Sequence, residues 1–319
     1  MNGRLQWLAL VLLFTAWAGA CPAAESYAIR PIRMLVPYPP GAATDTSARI
    51  LAARFSETLG QQVIVDNRPG ASGMIATSVL ARSAPDGHTM MVVDVAHGAN
   101  PALNEKMPYD TLKDLSAVSL VLRVPMLLIV TPGFPAQSLK ELISVAKTNP
   151  GKYHYGSAGT GSTMHLIGEL FKGQAGVDLV HVPYKGGGPA LADVMGGQIA
   201  MCFLSTVASL QQVKAGRVRA LGISGRTRSP VAPDIPTIAE AGVPGFEFYL
   251  WQAMIVPAGV PRPILARLNS EVHAALNHPE SRERLVNLGA DPTPSTPQEA
   301  DAHIRAEIER WKKTFKPGS

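Results

Sequence analysis

Cysteine is scarce in this chain, which has two among 319 residues, Cys21 and Cys202. Small secreted domains that depend on disulfides carry many more. Cys21 belongs to an N-terminal segment that we expect to be processed, so Cys202 has no partner in the mature chain. An intramolecular disulfide framework is therefore excluded. Cys202, within the apolar run IAMCFL, is predicted to be a small buried side chain.

Charged residues are also few, at 17%, while 46% of the residues are hydrophobic. This balance supplies a core and argues against disorder. The net charge is +5, yet the basic residues are scattered, whereas nucleic-acid binding usually shows a concentrated basic stripe. We therefore expect no nucleic-acid partner.

The chain lacks the common cofactor, nucleotide and hydrolase motifs. It contains no G-x-G-x-x-G, no G-x-x-x-x-G-K-[ST] and no G-x-S-x-G. It contains no H-E-x-x-H either, and its eight histidines are scattered without ligand spacing. We expect neither a cofactor nor a metal site.

The N-terminus reads MNGRLQWLALVLLFTAWAGAC, with one basic residue before the apolar run from Leu5 to Ala18. This run is shorter than the ~20 residues of a transmembrane helix, and small residues follow it. Residues 1–24 are therefore predicted to be a signal peptide. Ala18-Gly19-Ala20 fits an A-x-A cleavage site, while AGAC resembles a bacterial lipobox with Ala in place of the preferred Leu. Soluble export and a lipid anchor at Cys21 both stay open.

Apolar runs alternate with helical patterns along the remaining chain, which predicts an α/β fold with two doubly wound, mostly parallel sheets. The apolar runs near 125–132 and 252–257 are predicted to be two strands that cross between the units. Residues 25–127 and 257–319 would form lobe one, and residues 128–256 lobe two. The cleft between such lobes can close by hinge bending. Helices are predicted at about 46–59, 139–147, 163–171, 263–276, 281–288 and from 297.

The last of these helices has clear local signals. Thr296-Pro297-Gln298-Glu299 is a capping box with proline at the first helical position. Further along, Ile304, Ile308, Trp311 and Phe315 share one face. We expect this face to dock the helix on the body of the protein.

Two loops, PPGAATDTS and GSAGTGSTMH, follow early strands of the two units and open helices. Helix N-termini offer unsatisfied N–H donors and about +0.5 charge, so they receive anions without Arg or Lys. Facing each other, the two loops would hold a carboxylate from both sides. Alternatively, Asp45 and Ser162 merely cap their helices. Lys185 is the nearest basic candidate, and Tyr38 and Tyr184 are candidates for the pocket wall.

A hydrolytic pair is a further alternative, because Ser162 and His165 are three residues apart at a helix start and share a face. No third group is evident to orient the imidazole.

The chain resembles the Bug-type family of periplasmic solute-binding proteins that serve tripartite tricarboxylate transporters. The resemblance covers the mature chain and is carried by PYPPGAATD, DNRPGASG, HGANPALNEKMPYDTLKDL, YGSAGTGSTMHL, VPYKGGGPALADVMGGQI and PDIPTIAEAGVPGFEFYLWQAMIVPAGVP. It implies a two-lobed Venus-flytrap fold, a periplasmic location and a small carboxylate held in the cleft, partly through waters. Carried over by position, it implies ligand contacts at Tyr38, Gly41, Ala42, Asp45, Ser157, Gly159, Thr160, Gly161, Ser162 and His165, with His97, Tyr184, Ser205 and Thr206 as weaker candidates.

Two positions depart from the family pattern. Ala42 stands where the first loop usually has a second glycine, so its backbone is expected to be less free. Ala200 stands where an Asp is usual, and that difference is expected to affect the ligand class if the Asp contacts ligands in relatives.

These observations favour an exported, non-enzymatic binding protein that delivers a small organic carboxylate to membrane permease subunits. A ligand-dependent sensor for a membrane signalling partner and a Ser162/His165 hydrolase are the alternatives.

Overall fold

The computed structural model describes residues 27–287 and 289–315. The predicted signal peptide, residues 1–24, and Cys21 lie outside this part of the chain. Within it, no helix is long and apolar enough to cross a membrane.

Strands and helices alternate along most of the chain. The strands are β1 (Ile32–Val36), β2 (Val63–Asn67), β3 (Thr89–Asp94), β4 (Leu115–Val130), β5 (His154–Ser157), β6 (Val180–Pro183), β7 (Met201–Ser205), β8 (Arg219–Ile223), β9 (Tyr249–Pro257) and β10 (Asp291–Pro292). The helices are α1 (Ala43–Leu59), α2 (Met74–Ala81), α3 (Val95–Leu103), α4 (Leu139–Thr148), α5 (Thr163–Ala175), α6 (Gly187–Met195), α7 (Thr206–Lys214), α8 (Ile238–Ala241), α9 (Arg262–Asn277), α10 (Pro279–Asn287) and α11 (Pro297–Phe315).

The first sheet has the order β2-β1-β3-β9-β4. Its strands β1, β2 and β3 are parallel, whereas β9 runs antiparallel to both β3 and β4. The short strand β10 pairs with β4 near Leu122 and Arg123. We call the part of the protein built on this sheet the first lobe.

The second sheet has parallel strands β5, β6 and β7, and β4 runs antiparallel between β7 and β8. We call the part built on it the second lobe. The 16-residue strand β4 belongs to both sheets. The predicted α/β fold with two lobes and two joined sheets is therefore confirmed: β4 passes from one sheet into the other, and the chain returns to the first sheet at β9. The division at 127/128 and 256/257 stays a prediction; β9, which it assigns mostly to lobe two, pairs with strands of the first sheet.

The first helix, α1, begins three residues before the predicted start. Its N-cap is Ala42, and Asp45 lies in its first turn rather than before it. Ala48, Leu51 and Phe55 are buried, as their spacing predicts. The helix ends at Gly60, whose φ of 64° is the left-handed conformation that favours glycine.

The last helix, α11, packs across the first lobe. Its capping box is formed: Thr296 N–H donates to the Glu299 carboxylate at 2.9 Å, and Glu299 N–H donates to Thr296 Oγ1 at 3.2 Å. Ile304, Ile308 and Trp311 are buried. The predicted docking face is therefore confirmed.

Candidate functional site

A cavity of about 410 Å³ lies between the two lobes, at the carboxyl ends of β1, β3, β5, β6 and β7. Ligands of open α/β sheets bind at this edge. The cavity is lined by Tyr38, Pro39, Pro40, Gly41, Ala42, Ala43, Thr44, Asp94, Met126, Ala158, Ser162, Thr163, Met164, Lys185, Gly186, Gly187, Gly188, Pro189, Leu191, Leu204, Ser205, Ala208 and Leu250.

Four helix N-termini, those of α1, α5, α6 and α7, contribute to this lining. Three of them have no side-chain cap, because the N-cap residues Ala42, Gly186 and Ser205 accept no hydrogen bond from their helices. The first N–H groups of a helix lack intrahelical partners and carry partial positive charge. The cavity therefore has the donors that an anion needs, from both lobes.

The first loop, between β1 and α1, is held by Asp45. Its carboxylate accepts hydrogen bonds at 2.9 Å from Gly41 N–H, from Arg49 Nε and from Asn67 Nδ2. Burial opposes ionisation of Asp45, but these hydrogen bonds and the Arg49 charge outweigh it and lower the pKa of the carboxyl group. Asp45 does not line the cavity. Its hydrogen bonds connect the loop to Arg49 and Asn67.

Ala42 replaces a glycine of the family pattern without backbone strain. Its φ of −67° and ψ of 159° are open to any residue. The preceding Gly41 has a φ of 84°, which does favour glycine. The position of Ala42 therefore does not require glycine, while the expectation that its backbone is less free stays a prediction.

The second loop ends at Ser162, which caps α5. Its Oγ donates to Gly159 O at 2.6 Å and accepts from His165 N–H at 3.4 Å. The imidazole of His165 accepts at Nδ1 from Gly161 N–H at 3.2 Å. The hydroxyl and the imidazole thus both bond to backbone groups of the loop, and this arrangement gives Ser162 no activating base.

A polar cluster lies behind the second loop. Ser157 Oγ is 2.6 Å from His181 Nε2, and the rings of His181 and His165 are 4.3 Å apart between centroids. Burial lowers the pKa of His165, and burial together with the neighbouring His165 lowers that of His181 to about 4. Both imidazoles are therefore neutral at pH 7 and support the loop by hydrogen bonding and packing.

Asp94, at the end of β3, connects the two lobes. Its carboxylate accepts from Tyr38 Oη at 3.0 Å, from Ala96 N–H at 3.1 Å and from Thr163 Oγ1 at 3.1 Å. Thr163 belongs to the second lobe, so this bond spans the cleft. Burial raises the pKa of Asp94 to about 6.

A second bond spans the cleft at its rim. Ser72, in a 3₁₀ turn of residues 71–73, donates from Oγ to Thr160 O at 2.7 Å. The backbone of Ser72 is in the left-handed region, with φ of 49°. The first lobe therefore contacts the second at two points, Thr160 in the second loop and Thr163 at the start of α5.

The structure brings part of the predicted site together. Of the predicted ligand residues, those that line the cavity are Tyr38, Gly41, Ala42, Ser162 and Ser205. Those that do not are Asp45, Ser157, Gly159, Thr160, Gly161, His165, His97, Tyr184 and Thr206. Direct ligand contact by any of them stays a prediction.

Several residues of the second group have other partners in the structure. Tyr184 Oη donates to Asp193 at 2.7 Å, and Thr206 Oγ1 donates to Gly289 O at 3.3 Å. His97 is buried in α3. Ala200, the second departure from the family pattern, does not line the cavity either.

Sequence reasoning missed Asp94, Thr163 and the apolar wall formed by Met126, Leu204 and Leu250. Asp94 ends the apolar run MMVVD, and an acid at the carboxyl end of a buried strand is a sign that the sequence did offer. Lys185, the basic candidate, does line the cavity.

Two α/β lobes with a cavity between them and crossing strands behind it define a periplasmic-binding-protein fold. The chain matches the tripartite tricarboxylate transporter family receptor over residues 47–317, and it belongs to this family of solute-binding receptors. The predicted family resemblance is thus confirmed.

Three solved structures are similar over nearly their whole length. The periplasmic binding protein BugD is 34% identical with a TM-score of 0.85, over 91% of this chain and 98% of that one. Rpa4515 of R. palustris, solved with adipate, is 39% identical with a TM-score of 0.86, over 90% and 97%. MatC of Rhodopseudomonas palustris, with bound malate, is 36% identical with a TM-score of 0.84, over 90% and 99%.

Proposed function

We propose that this protein is an exported periplasmic receptor, without catalytic activity, that captures a small organic carboxylate in the cavity between its lobes. It then presents the closed, loaded form to the membrane subunits of a tripartite tricarboxylate-type transporter. The observation that carries the proposal is the set of four helix N-termini around one cavity, three of them without side-chain caps.

A carboxylate suits the groups that line this cavity. Neutral donors and helix termini stabilise an anion without burying a permanent cation beside it. Hydroxyl groups of Thr44 and Ser205 add further donors to the lining. Adipate and malate in the two similar structures support the same class. The volume of about 410 Å³ suits a small acid with room for bridging waters.

Delivery to a transporter is supported by the description of the family as a transporter receptor. Export is supported by the apolar N-terminal run from Leu5 to Ala18 and by the periplasmic location of BugD. Because both lobes line the cavity, a ligand that contacts both favours the closed form. The closed form is then the one that a membrane partner recognises.

Binding tests the proposal directly. The mature protein, unfolded and refolded to remove retained ligand, is titrated by calorimetry with mono-, di- and tricarboxylates. The informative variant is Ala43→Pro. Proline is tolerated at the first helical position, and the extended Ala42 before it is compatible with proline. The substitution therefore removes one N–H donor from the cavity while α1 stays intact.

We expect micromolar or tighter binding of at least one carboxylate, and about a tenfold loss in Ala43→Pro, as for a hydrogen bond to a charged group. Ala43→Gly keeps the donor and serves as the matched control. Folded, ligand-free protein that binds no carboxylate would refute the proposal. Equal affinities of the two variants would refute the role of the α1 terminus.

A further inference from the structure

Asp94 is unusual among the groups that line the cavity. Among the described lining residues, Asp94 and Lys185 are the two that carry a formal charge at neutral pH. The Asp94 side chain is 4% exposed and lies where the first lobe meets α5 of the second. A carboxylate is thus built into a cavity that we propose receives a carboxylate.

The hydrogen bonds of Asp94 leave acceptor capacity. An ionised carboxylate has about four acceptor positions. Three are used by Tyr38 Oη, Ala96 N–H and Thr163 Oγ1. Each of these partners donates, so each supports the ionised form. Because Asp94 lines the cavity, a ligand group placed beside it meets this carboxylate.

A ligand group placed beside Asp94 must therefore be a donor. Two carboxylates close together in a buried site repel strongly, and one of them must take up a proton. Burial already raises the pKa of Asp94 to about 6, so little further destabilisation of the charge is tolerated. A hydroxyl or ammonium group of the ligand is attracted to ionised Asp94, because it donates a charge-assisted hydrogen bond to the carboxylate.

We propose that Asp94 is a specificity-determining residue that selects carboxylates bearing an amino or hydroxyl group over unsubstituted acids of the same length. The inference rests on the proposed function, since it assigns the ligand class of the same cavity. Asp94 receives the donor group of the ligand, and the uncapped helix termini, with Lys185, receive its carboxylate.

The test compares ligands that differ in one substituent. Refolded protein is titrated with succinate, malate and aspartate, and with glutarate and glutamate. We expect the substituted acid of each set to bind at least about tenfold more tightly than the unsubstituted one. In Asp94→Asn, the ratio of the affinities for the substituted and the unsubstituted acid should fall below about threefold. The charge that repels the unsubstituted acid and attracts the donor group is absent from this variant.

Two further variants keep the test informative. Asp94→Ser retains a residue that caps helices well, for the case in which Asp94→Asn does not fold. Thr163→Val removes the bond across the cleft but leaves the charge of Asp94 in place. A role of Asp94 in closure alone predicts that all three variants weaken every ligand by a common factor.

The inference is overturned if Asp94→Asn and Asp94→Ser keep the wild-type ratios, or if the wild-type protein prefers the unsubstituted acids. Failure of the proposed function would give a different result from failure of the inference about Asp94. In that case the refolded wild-type protein binds no carboxylate of any kind, and the inference falls with it.

Discussion

At the scale of single residues, the environment of a side chain decides its role more than its type does. Asp45 and Asp94 lie at the ends of neighbouring elements, and both accept three hydrogen bonds. Asp45 faces a cation and fixes a loop, whereas Asp94 faces the cavity. The sequence marked Asp45 because of its position before a helical pattern. The position of Asp94 at the end of MMVVD was a sign, but its contact with the second lobe was not visible in the sequence, since the bond to Thr163 joins residues 69 positions apart.

His97 gives a prediction for the dependence of stability on pH. Burial lowers the pKa of His97 to about 4, well below the ordinary value of about 6.5. Between pH 6.5 and about 4, His97 is therefore protonated in the unfolded chain but neutral in the folded protein. The contribution of His97 to the free energy of unfolding is complete above pH 6.5 and falls, by up to about 3 kcal/mol, as the pH drops towards 4.

The measurement is urea unfolding of the wild-type protein and His97→Gln at several pH values. We expect the variant to lose less stability than the wild type between pH 6.5 and 4. Substitution of the exposed His154 by Gln is the control and should leave the profile unchanged. If the free energy of unfolding of the wild type and of His97→Gln depended on pH in the same way, the lowered pKa of His97 would be contradicted.

At the scale of elements, four helix N-termini form the site, and three of the four have no side-chain cap. Helices α4, α5, α8 and α11 are capped by their own serine or threonine residues. Helices α1, α6 and α7 are not, and all three begin at the cavity. Sequence patterns predicted the beginning of α1 and α5 and the strands before them. For α6 and α7 they offered single candidates, Lys185 before α6 and, through the family resemblance, Ser205 and Thr206 at α7, but not the joining of both helix termini in one cavity, which depends on strand order in the second sheet.

The 3₁₀ turn of residues 71–73 gives the second prediction. Ser72 donates across the cleft to Thr160 O while its backbone is held in a conformation that costs roughly 1 kcal/mol for a residue other than glycine. Ser72→Ala removes the bond that the closed form gains. We expect affinity for a carboxylate ligand to fall about three- to tenfold.

Calorimetric titration checks this expectation. Ser83→Ala is the matched control, since Ser83 Oγ donates to Val79 O at 2.8 Å, a bond within the first lobe. It should leave the affinity unchanged. An equal effect of the two substitutions would show that the bond to Thr160 does not favour closure.

At the scale of the whole molecule, the two-sheet arrangement followed from the alternation of strands and helices and from two apolar runs. The long strand β4, Leu115–Val130, was predicted only from about residue 125, and no strand was predicted for its first part. Irregular pairing of β4 with β9, at Ala117/Ser119 and Leu120/Leu122, and with β8, at Leu128/Ile129, is not visible in the sequence. These irregularities locally disrupt the ladder in the strand that both lobes share.

Closure on a ligand gives the third prediction. Since groups from both lobes line the cavity, a bound ligand should shift the open–closed equilibrium. Solution X-ray scattering of refolded protein should show a smaller radius of gyration with ligand than without it. At 100 times the dissociation constant, the ligand should also stabilise the fold by about 2.7 kcal/mol, seen as a higher melting temperature.

Identical scattering curves with and without a ligand that raises the melting temperature would contradict the closure mechanism while leaving binding intact. Thr163→Val should show a larger radius of gyration than the wild type without ligand, because it lacks the bond to Asp94.

The position of β9 between β3 and β4 has a consequence for how the protein folds during its synthesis. All strands of the second sheet, β4 to β8, lie between residues 115 and 223, whereas the first sheet needs β9 between β3 and β4. As the chain is synthesised from its N-terminus, the second sheet can be completed while the first sheet still lacks β9. The part of the protein that appears first is therefore finished last, and an unpaired edge of β3 must be kept from aggregating until residues 249–257 arrive.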